Sequence, residues 1–208
     1  MNTHFFIGIG LAAGLALAAG GARAAAVAQP FAYPQSLLAG NPAEGDAAAP
    51  GMTLGALSVR LEETPIREAA KSAGASLMRE GAGEFTRDWT CLKTDAFRIW
   101  LVASDSPAVT EVQMEEGKAA SARPGACYAL PAALSPASIG GVVPGMTKAE
   151  VQQKLGAPSY AGEDGWVFWA HFRTLSEYSS TRIRMNWTGV QTKDGRVTRV
   201  FSSQVTNP

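Results

Sequence analysis

Apolar and polar residues alternate with a period of two in several short stretches of the chain, and this spacing is typical of β-strands with one buried face. In the second half of the chain three such stretches follow one another, over residues 166–172, 183–188 and 197–201. Asp194-Gly195 separates the last two stretches and is a common hairpin turn. The pattern therefore predicts three consecutive antiparallel strands.

A short helix is predicted directly before these strands. Thr147 and Glu150 have the spacing of a capping box, in which each side chain accepts a hydrogen bond from the backbone of the other residue. Val151 and Leu155 lie one turn apart on one side, and Gly156 is suited to the left-handed end of a helix. A helix of this length is not stable alone in water, so we expect it to pack on the strands.

The first half of the chain repeats this order of elements. Residues 57–61 alternate like a strand, and Thr64-Pro65 predicts a helix start with Thr64 as its cap. Further strands are predicted around residues 89–92, 97–102 and 108–114. The recurrence favours a duplication. We therefore predict an α+β fold of two tandem modules, residues 52–118 and 139–208, each a short helix (or two) packed on a three- to four-stranded antiparallel sheet.

The N-terminus has the features of a secretory signal peptide. Residues 5–19 are apolar, and small residues follow with A-x-A cleavage patterns that end at Ala24 and Ala28. We expect cleavage after Ala28, so that residues 1–28 are removed and the mature chain is periplasmic or secreted. The Ala-, Pro- and Gly-rich composition predicts a flexible leader over residues 29–51 and a connector over residues 119–138.

The sequence predicts neither a membrane span nor a lipid anchor in the mature chain. No apolar run after the N-terminus reaches the roughly 20 residues that a bilayer requires. The two cysteines, Cys91 and Cys127, both lie far from the cleavage sites. Export to an oxidising compartment favours a disulfide between them, which would attach the connector to a strand. The alternative is a reactive or metal-binding pair, although the spacing is not C-x-x-C.

Composition and charge exclude some function classes. The chain has 208 residues, 46% of them hydrophobic, with a formal net charge of zero. A disordered chain has fewer apolar residues, and a nucleic-acid-binding protein usually has a basic excess, so we expect no nucleic-acid partner. The charge is uneven, with a net −3 over residues 51–118 and a net +3 over residues 139–208. These opposite charges would help the two halves pack together or attract a partner.

Candidate catalytic residues are few. Of the two histidines, His4 lies in the signal peptide and His171 lies in the middle of a predicted strand. One mature histidine cannot form a multi-histidine zinc site, and no G-x-S-x-G motif accompanies it. The stretch 140–147 has Met146 where a phosphate-binding loop needs Lys. We expect no catalytic residues, no metal and no other cofactor, and hence a protein that is not an enzyme.

The sequence pattern of the second half resembles a known family. The run Val143-Pro144-Gly145-Met146-Thr147, then Leu155-Gly156-Ala157-Pro158, Trp166 and Asp194-Gly195-x-Val197, is similar to the SmpA/OmlA (BamE-like) domain over roughly residues 139–206. The resemblance implies one or two helices on a three-stranded antiparallel sheet. Well-known members of the family are lipoproteins that help to assemble outer-membrane proteins. The tandem arrangement is similar to that of the beta-lactamase inhibitory proteins.

One face of the predicted sheet is a candidate binding surface. If Trp166, Phe168 and Phe172 face the helix, the side chains of the intervening residues point away from it. We predict that this outer face binds a partner, because Trp and Arg are enriched in binding hot spots. Its residues are Trp169, His171, Arg182 and Arg184. Alternatively, this face packs on the other module.

The function that follows is non-enzymatic protein binding in the bacterial cell envelope. The partner would be an assembly factor, an envelope enzyme that the protein inhibits, or another copy of the same chain. The alternative is a periplasmic small-ligand binder or enzyme that uses a cleft between the two modules.

Overall fold

The structure, a computed structural model, describes residues 27–117, 125–177 and 180–207. The expected signal peptide up to residue 26 and residues 118–124 of the expected connector lie outside the described residues. Two α-helices are described, α1 (Ile66–Ser72) and α2 (Lys148–Leu155). Three short 3-10 helices span Gln35–Leu38, Gly83–Phe85 and Ala132–Leu134. The strands are β1 (Ala43–Glu44), β2 (Gly51–Leu54), β3 (Leu57–Arg60), β4 (Met78–Glu80), β5 (Arg87–Lys93), β6 (Phe97–Ser104), β7 (Glu111–Glu116), β8 (Tyr128–Ala129), β9 (Ala137–Ile139), β10 (Tyr160–Ala161), β11 (Trp166–Glu177), β12 (Ser180–Lys193) and β13 (Arg196–Asn207).

One ten-stranded mixed sheet dominates the molecule. Its main path runs β1-β11-β12-β13-β7-β6-β5-β4, with β10 beside β11 and β8 beside β5. Strand β13 pairs antiparallel with β7, so that Phe201 lies opposite Gln113 and both halves of the chain share the sheet. The expected α+β fold of two tandem helix-on-sheet modules is therefore wrong. Each half left alone would expose an unpaired strand edge, and these two edges satisfy each other's backbone hydrogen bonds.

A second, three-stranded sheet and the two helices cover one face of the large sheet. The small sheet has the order β3-β2-β9. Its apolar side chains form a core, the helix-side core, with side chains from the helices and the large sheet. This core includes Met52, Leu54, Val112, Val151 and Val200. The predicted strand over residues 57–61 is thus real, but it belongs to the small sheet.

The N-terminal segment covers the opposite face of the large sheet. Phe31 is 2% exposed and packs with Trp100, Trp166 and Phe201 in a second core, the aromatic core. The Phe31 N–H donates to Gln113 Oε1 at 2.8 Å, and Gln113 Nε2 donates to the Phe31 carbonyl at 2.9 Å. Residues 29–51 therefore do not form a flexible leader. The segment is rich in Pro and Ala, but it also contains Phe31, and the burial of this aromatic side chain stabilises the segment on the sheet.

Short-range features agree best with the sequence. Helix α2 begins with the predicted capping box, in which the Glu150 N–H donates to Thr147 Oγ1 at 3.3 Å and the Thr147 N–H donates to Glu150 Oε2 at 2.7 Å. Helix α1 begins without a side-chain cap, because Thr64 Oγ1 instead accepts from the Arg60 N–H at 2.9 Å. Neither helix in the described ranges is long and apolar enough to cross a membrane.

Candidate functional site

The predicted disulfide is present. Cys91 in β5 is bonded to Cys127, and the two Cα atoms lie 4.7 Å apart. The next residue after Cys127 begins β8, which pairs parallel with β5. The Ala126 carbonyl also accepts from the Ala28 N–H at 2.9 Å. The disulfide therefore attaches both the end of the connector and the N-terminal segment to the large sheet.

Trp169 does not lie on an exposed face. It is 2% exposed, belongs to the helix-side core with Val151 of α2, and its Nε1 donates to the Gly156 carbonyl at 3.3 Å. The expectation of an exposed Trp169 is wrong. Aromatic side chains of β11 point to both faces of the sheet, because both faces of this strand are covered. Alternation alone therefore does not show which face packs on α2.

The other predicted binding residues lie near the outer end of the long strands, beyond α2. Strand pairing places His171 opposite Asn186 and Asn186 opposite Gln204, on the same face as Trp169. Arg184 lies two residues before Asn186 on β12, and Arg182 is half-buried one step further out. Whether His171, Arg182 and Arg184 contact a partner protein stays a prediction.

A cavity of about 230 Å³ lies over this outer part of the helix-side face, beside the segment that follows β1. Directly opposite residues in a sheet have Cβ atoms about 4.5–5.5 Å apart, so the polar side chains of neighbouring strands converge here. The cavity is lined, among others, by Asp46, His171, Arg173, Arg184, Asn186 and Gln204. Sequence reasoning identified His171 and Arg184 but missed the remaining four, because the strand pairing that joins them is not visible in the sequence.

Three side-chain atoms in the cavity wall are buried without a hydrogen-bond partner in the described parts of the chain. They are His171 Nδ1, Arg184 Nε and Asn186 Oδ1. Asn186 is 3% exposed, and its Nδ2 donates to the Ser203 carbonyl at 3.0 Å, which leaves Oδ1 as the free end of the amide. A buried polar atom without a partner costs about 1–3 kcal/mol. The residues that line the cavity thus carry one unpartnered acceptor, one unpartnered cationic donor and one unpartnered imidazole nitrogen.

Two acidic residues balance the arginines of the cavity. Arg173 Nη1 lies 2.8 Å from Asp46 Oδ1, whereas Arg184 Nε lies 3.8 Å from Glu62 Oε2, beyond hydrogen-bond distance. The Glu62 carboxylate is occupied by shorter contacts, since it accepts from the Thr206 N–H at 2.6 Å and from Gln204 Nε2 at 3.0 Å. Glu62 therefore reduces the positive charge near Arg184 but accepts no hydrogen bond from the Arg184 Nε–H.

Ion pairs join the two oppositely charged halves of the chain. Arg199 in β13 donates to the fully buried Glu115 of β7 at 2.7 Å, at the junction of the two halves. The Arg184–Glu62 pair joins the same two halves at the outer end of the sheet. The opposite charges thus contribute to packing within the molecule, one of the two uses that the sequence suggested.

A buried carboxyl lies near this junction. Glu111 is 5% exposed, and burial raises its pKa above the ordinary value of 4.5, whereas the nearby Arg87 guanidinium and the Gln113 amide lower it. Gln113 Nε2 donates to Glu111 Oε1, and Arg87 lies 3.7 Å from Glu111 Oε2. Because the effect of burial is the largest of these, protonation of Glu111 favours the folded state.

Within the described ranges, no group of three or more His, Cys, Asp and Glu side chains could hold a metal ion. In comparisons with known proteins, no family profile, no curated protein and no solved structure matches the chain.

Proposed function

We propose that the protein is an exported, non-enzymatic protein-binding module of the bacterial cell envelope, and that it recognises its partner through an apolar surface at the outer end of the large sheet. This surface, the outer apolar face, consists of Phe172, Ile183, Met185 and Val205. Ile183 is 44% exposed and Val205 is 41% exposed, while Phe172 and Met185 are half-buried. These exposed apolar side chains are the observation that carries the proposal.

The outer apolar face extends across three neighbouring strands. Phe172 of β11 lies opposite Met185 of β12, which lies opposite Val205 of β13. Because side chains alternate between faces, all of them lie on the side of the sheet that carries the aromatic core. The N-terminal segment covers this side as far as Tyr33, whose ring lies 4.6 Å from that of Phe201.

A contiguous exposed apolar surface on a soluble protein commonly marks an interaction site, whereas isolated exposed apolar residues are ordinary. Trp187 lies at the inner border of the outer apolar face and is half-buried against the aromatic core. Aromatic residues and Met are enriched where protein interfaces are most buried. A partner that presents an apolar segment fits this composition best.

Two further features support an exported protein of the envelope. The signal-peptide pattern is joined by the Cys91–Cys127 disulfide, and disulfides persist mainly in oxidising compartments. The motif around Thr147 and Gly156 resembles BamE-like domains, whose known members act in envelope assembly. We propose an assembly factor or an inhibited enzyme of the envelope as the partner.

Site-specific photo-crosslinking in living cells tests the proposal. The photoreactive residue p-benzoylphenylalanine is placed at Ile183 or Val205, and at Phe85 as the control. Phe85 is 84% exposed but lies near β4, at the opposite edge of the sheet. We expect adducts with one envelope protein from positions 183 and 205 and none from position 85. Equal yields at the three positions, or adducts only between two copies of this chain, would overturn the proposal.

A further inference from the structure

We propose that the cavity around His171, Arg184 and Asn186 binds a small carboxylate that carries a neighbouring hydroxyl or amino group. The cavity lies on the helix-side face of the sheet, opposite the outer apolar face, so the inference is independent of the proposed function. Its volume of about 230 Å³ is far above the roughly 10–15 Å³ that a single water requires.

The carboxylate is recognised by Arg184, because Arg173 already donates to Asp46 at 2.8 Å. Arg173 and Arg184 lie directly opposite each other on β11 and β12, and both line the cavity. The Arg184 Nε–H is buried and has no hydrogen-bond partner among the described residues, because Glu62 stays 3.8 Å away and is occupied by Gln204 and Thr206. An arginine that lines a cavity and keeps an unpartnered N–H is suited to a carboxylate, which accepts charge-assisted hydrogen bonds.

The neighbouring donor of the ligand is recognised by Asn186. Its Nδ2 is held by the Ser203 carbonyl, so its buried Oδ1 can only accept a hydrogen bond. A simple carboxylate has no donor for this atom, whereas a hydroxyl or an amino group beside the carboxylate does. Asn186 and Arg184 are two residues apart on one strand and therefore face the cavity side by side.

His171 completes the polar wall. It lies directly opposite Asn186, and its buried Nδ1 has no hydrogen-bond partner in the described ranges. An imidazole nitrogen donates or accepts according to its tautomer, so it can pair with either group of the ligand. All three unpartnered atoms thus belong to residues that face a single cavity, and one hydroxy- or amino-carboxylate would satisfy them together.

The site also has room for a ligand larger than a carboxylate with one neighbouring hydroxyl or amino group. A second cavity of about 380 Å³ adjoins the first along the small sheet, and the two share Pro50, Arg184 and Gln204. Arg184 therefore lies where the two cavities meet.

Malate and succinate form a matched pair of probes, because they differ only in one hydroxyl. Each is titrated into the ¹⁵N-labelled chain while the imidazole signals of His171 are followed, with His171→Gln used to distinguish them from those of His4. We expect malate to shift the His171 signals. We expect succinate to bind at least about 10-fold more weakly than malate, since a buried acceptor discriminates against a ligand that lacks the donor. No shift with malate up to about 10 mM, or equal affinities for the two acids, would overturn the proposal.

Two variants locate the binding. Arg184→Gln should weaken malate binding at least about 10-fold. Lys193 is exposed at the inner end of the same strand, so Lys193→Gln should leave the affinity for malate unchanged. Asn186→Leu should abolish the preference for malate over succinate while succinate still binds. Circular dichroism and melting temperature verify folding of each variant. If Arg184→Gln binds malate as Lys193→Gln does, the cavity is not the binding site and the proposal fails.

Discussion

Arg173 lies directly opposite Arg184 in the pairing of β11 and β12, and each guanidinium is paired with an acidic residue from the first half of the chain. Like charges directly opposite each other destabilise a sheet. Asp46 and Glu62 reduce this repulsion, and Glu62 also accepts hydrogen bonds from Thr206 and Gln204. The outer end of the sheet therefore depends on charges contributed by both halves of the chain.

The change Glu62→Gln tests this dependence. It removes the charge that balances Arg184 and weakens charge-assisted hydrogen bonds, so we expect a loss of about 1–3 kcal/mol in the free energy of unfolding. Glu63→Gln is the matched control, since Glu63 pairs only with the exposed Arg60 at 3.4 Å in the described contacts and such pairs contribute about 0–1 kcal/mol. Urea unfolding measures both variants. Equal losses would contradict this role for Glu62.

The disulfide should contribute strongly to stability. In the loop-entropy account, closing the 36-residue separation between Cys91 and Cys127 stabilises the fold by about 3–4 kcal/mol. We expect reduction to lower the midpoint of urea unfolding accordingly. The double variant Cys91→Ala, Cys127→Ala should unfold at the midpoint of the reduced chain and be insensitive to reductant. A midpoint that does not respond to reduction would show that the connector is held by other contacts.

The position of signal-peptide cleavage should affect stability. Trp100 Nε1 donates to the buried Ala28 carbonyl at 2.9 Å, and Val27 bridges to Ala126. Cleavage after Ala28 would remove this acceptor, whereas cleavage after Ala24 keeps it. If the chain is exported, we therefore predict a mature chain that begins at Ala25, in place of the cleavage after Ala28 expected from the sequence, and its intact mass checks this. A chain that begins at Gln29 should be less stable by about 1–3 kcal/mol; equal stability of the two chains would contradict the structural role of Ala28.

Two carboxyls should give opposite dependences of stability on pH. Burial raises the pKa of Glu111 in the folded state, so its favourable contribution is present at low pH and is lost as the pH rises through that raised pKa. Two hydrogen bonds from Arg79, each 2.7 Å, hold the pKa of Asp88 below its ordinary value. The contribution of Asp88 is therefore present at neutral pH and is lost as the pH falls through the lowered pKa.

Glu111→Gln and Asp88→Asn test these signs in urea unfolding at several pH values. Relative to the unchanged protein, Glu111→Gln should gain stability as the pH rises towards neutral. Asp88→Asn should lose stability at neutral pH, and this difference should vanish in acid. A pH dependence of the same sign in both variants would contradict the assignment.

The sequence predicted the local elements well and their assembly poorly, for a physical reason. The capping box of Thr147 and Glu150 and the Asp194-Gly195 turn depend on neighbours in sequence, and the two turn residues adopt φ of 52° and 77° as such a turn requires. The pairing of β7 with β13 depends on two strand edges that meet only in the folded chain. No pattern within either strand identifies its partner.

Only part of the candidate site could be predicted from the sequence, for a related reason. The alternation in β12 correctly placed Arg182 and Arg184 on one face and Ile183 and Met185 on the other. Trp169 is buried by α2 and the small sheet on the helix-side face, whereas the segment around Phe31 covers the opposite face and leaves Ile183 exposed, and the alternation in the strands shows neither. The cavity around His171 requires the register of three strands and could not be derived from any one of them.

The most direct test is quantitative capture of the proposed envelope partner by the unchanged chain and by two purified variants of it. The double change Ile183→Asn, Val205→Asn alters only the outer apolar face, and Phe85→Asn removes a more exposed apolar side chain elsewhere. We predict that the double variant melts within a few degrees of the unchanged protein but captures at least about 10-fold less partner, as expected for hot-spot loss, while Phe85→Asn captures as much as the unchanged protein. Undiminished capture by the double variant would contradict this prediction.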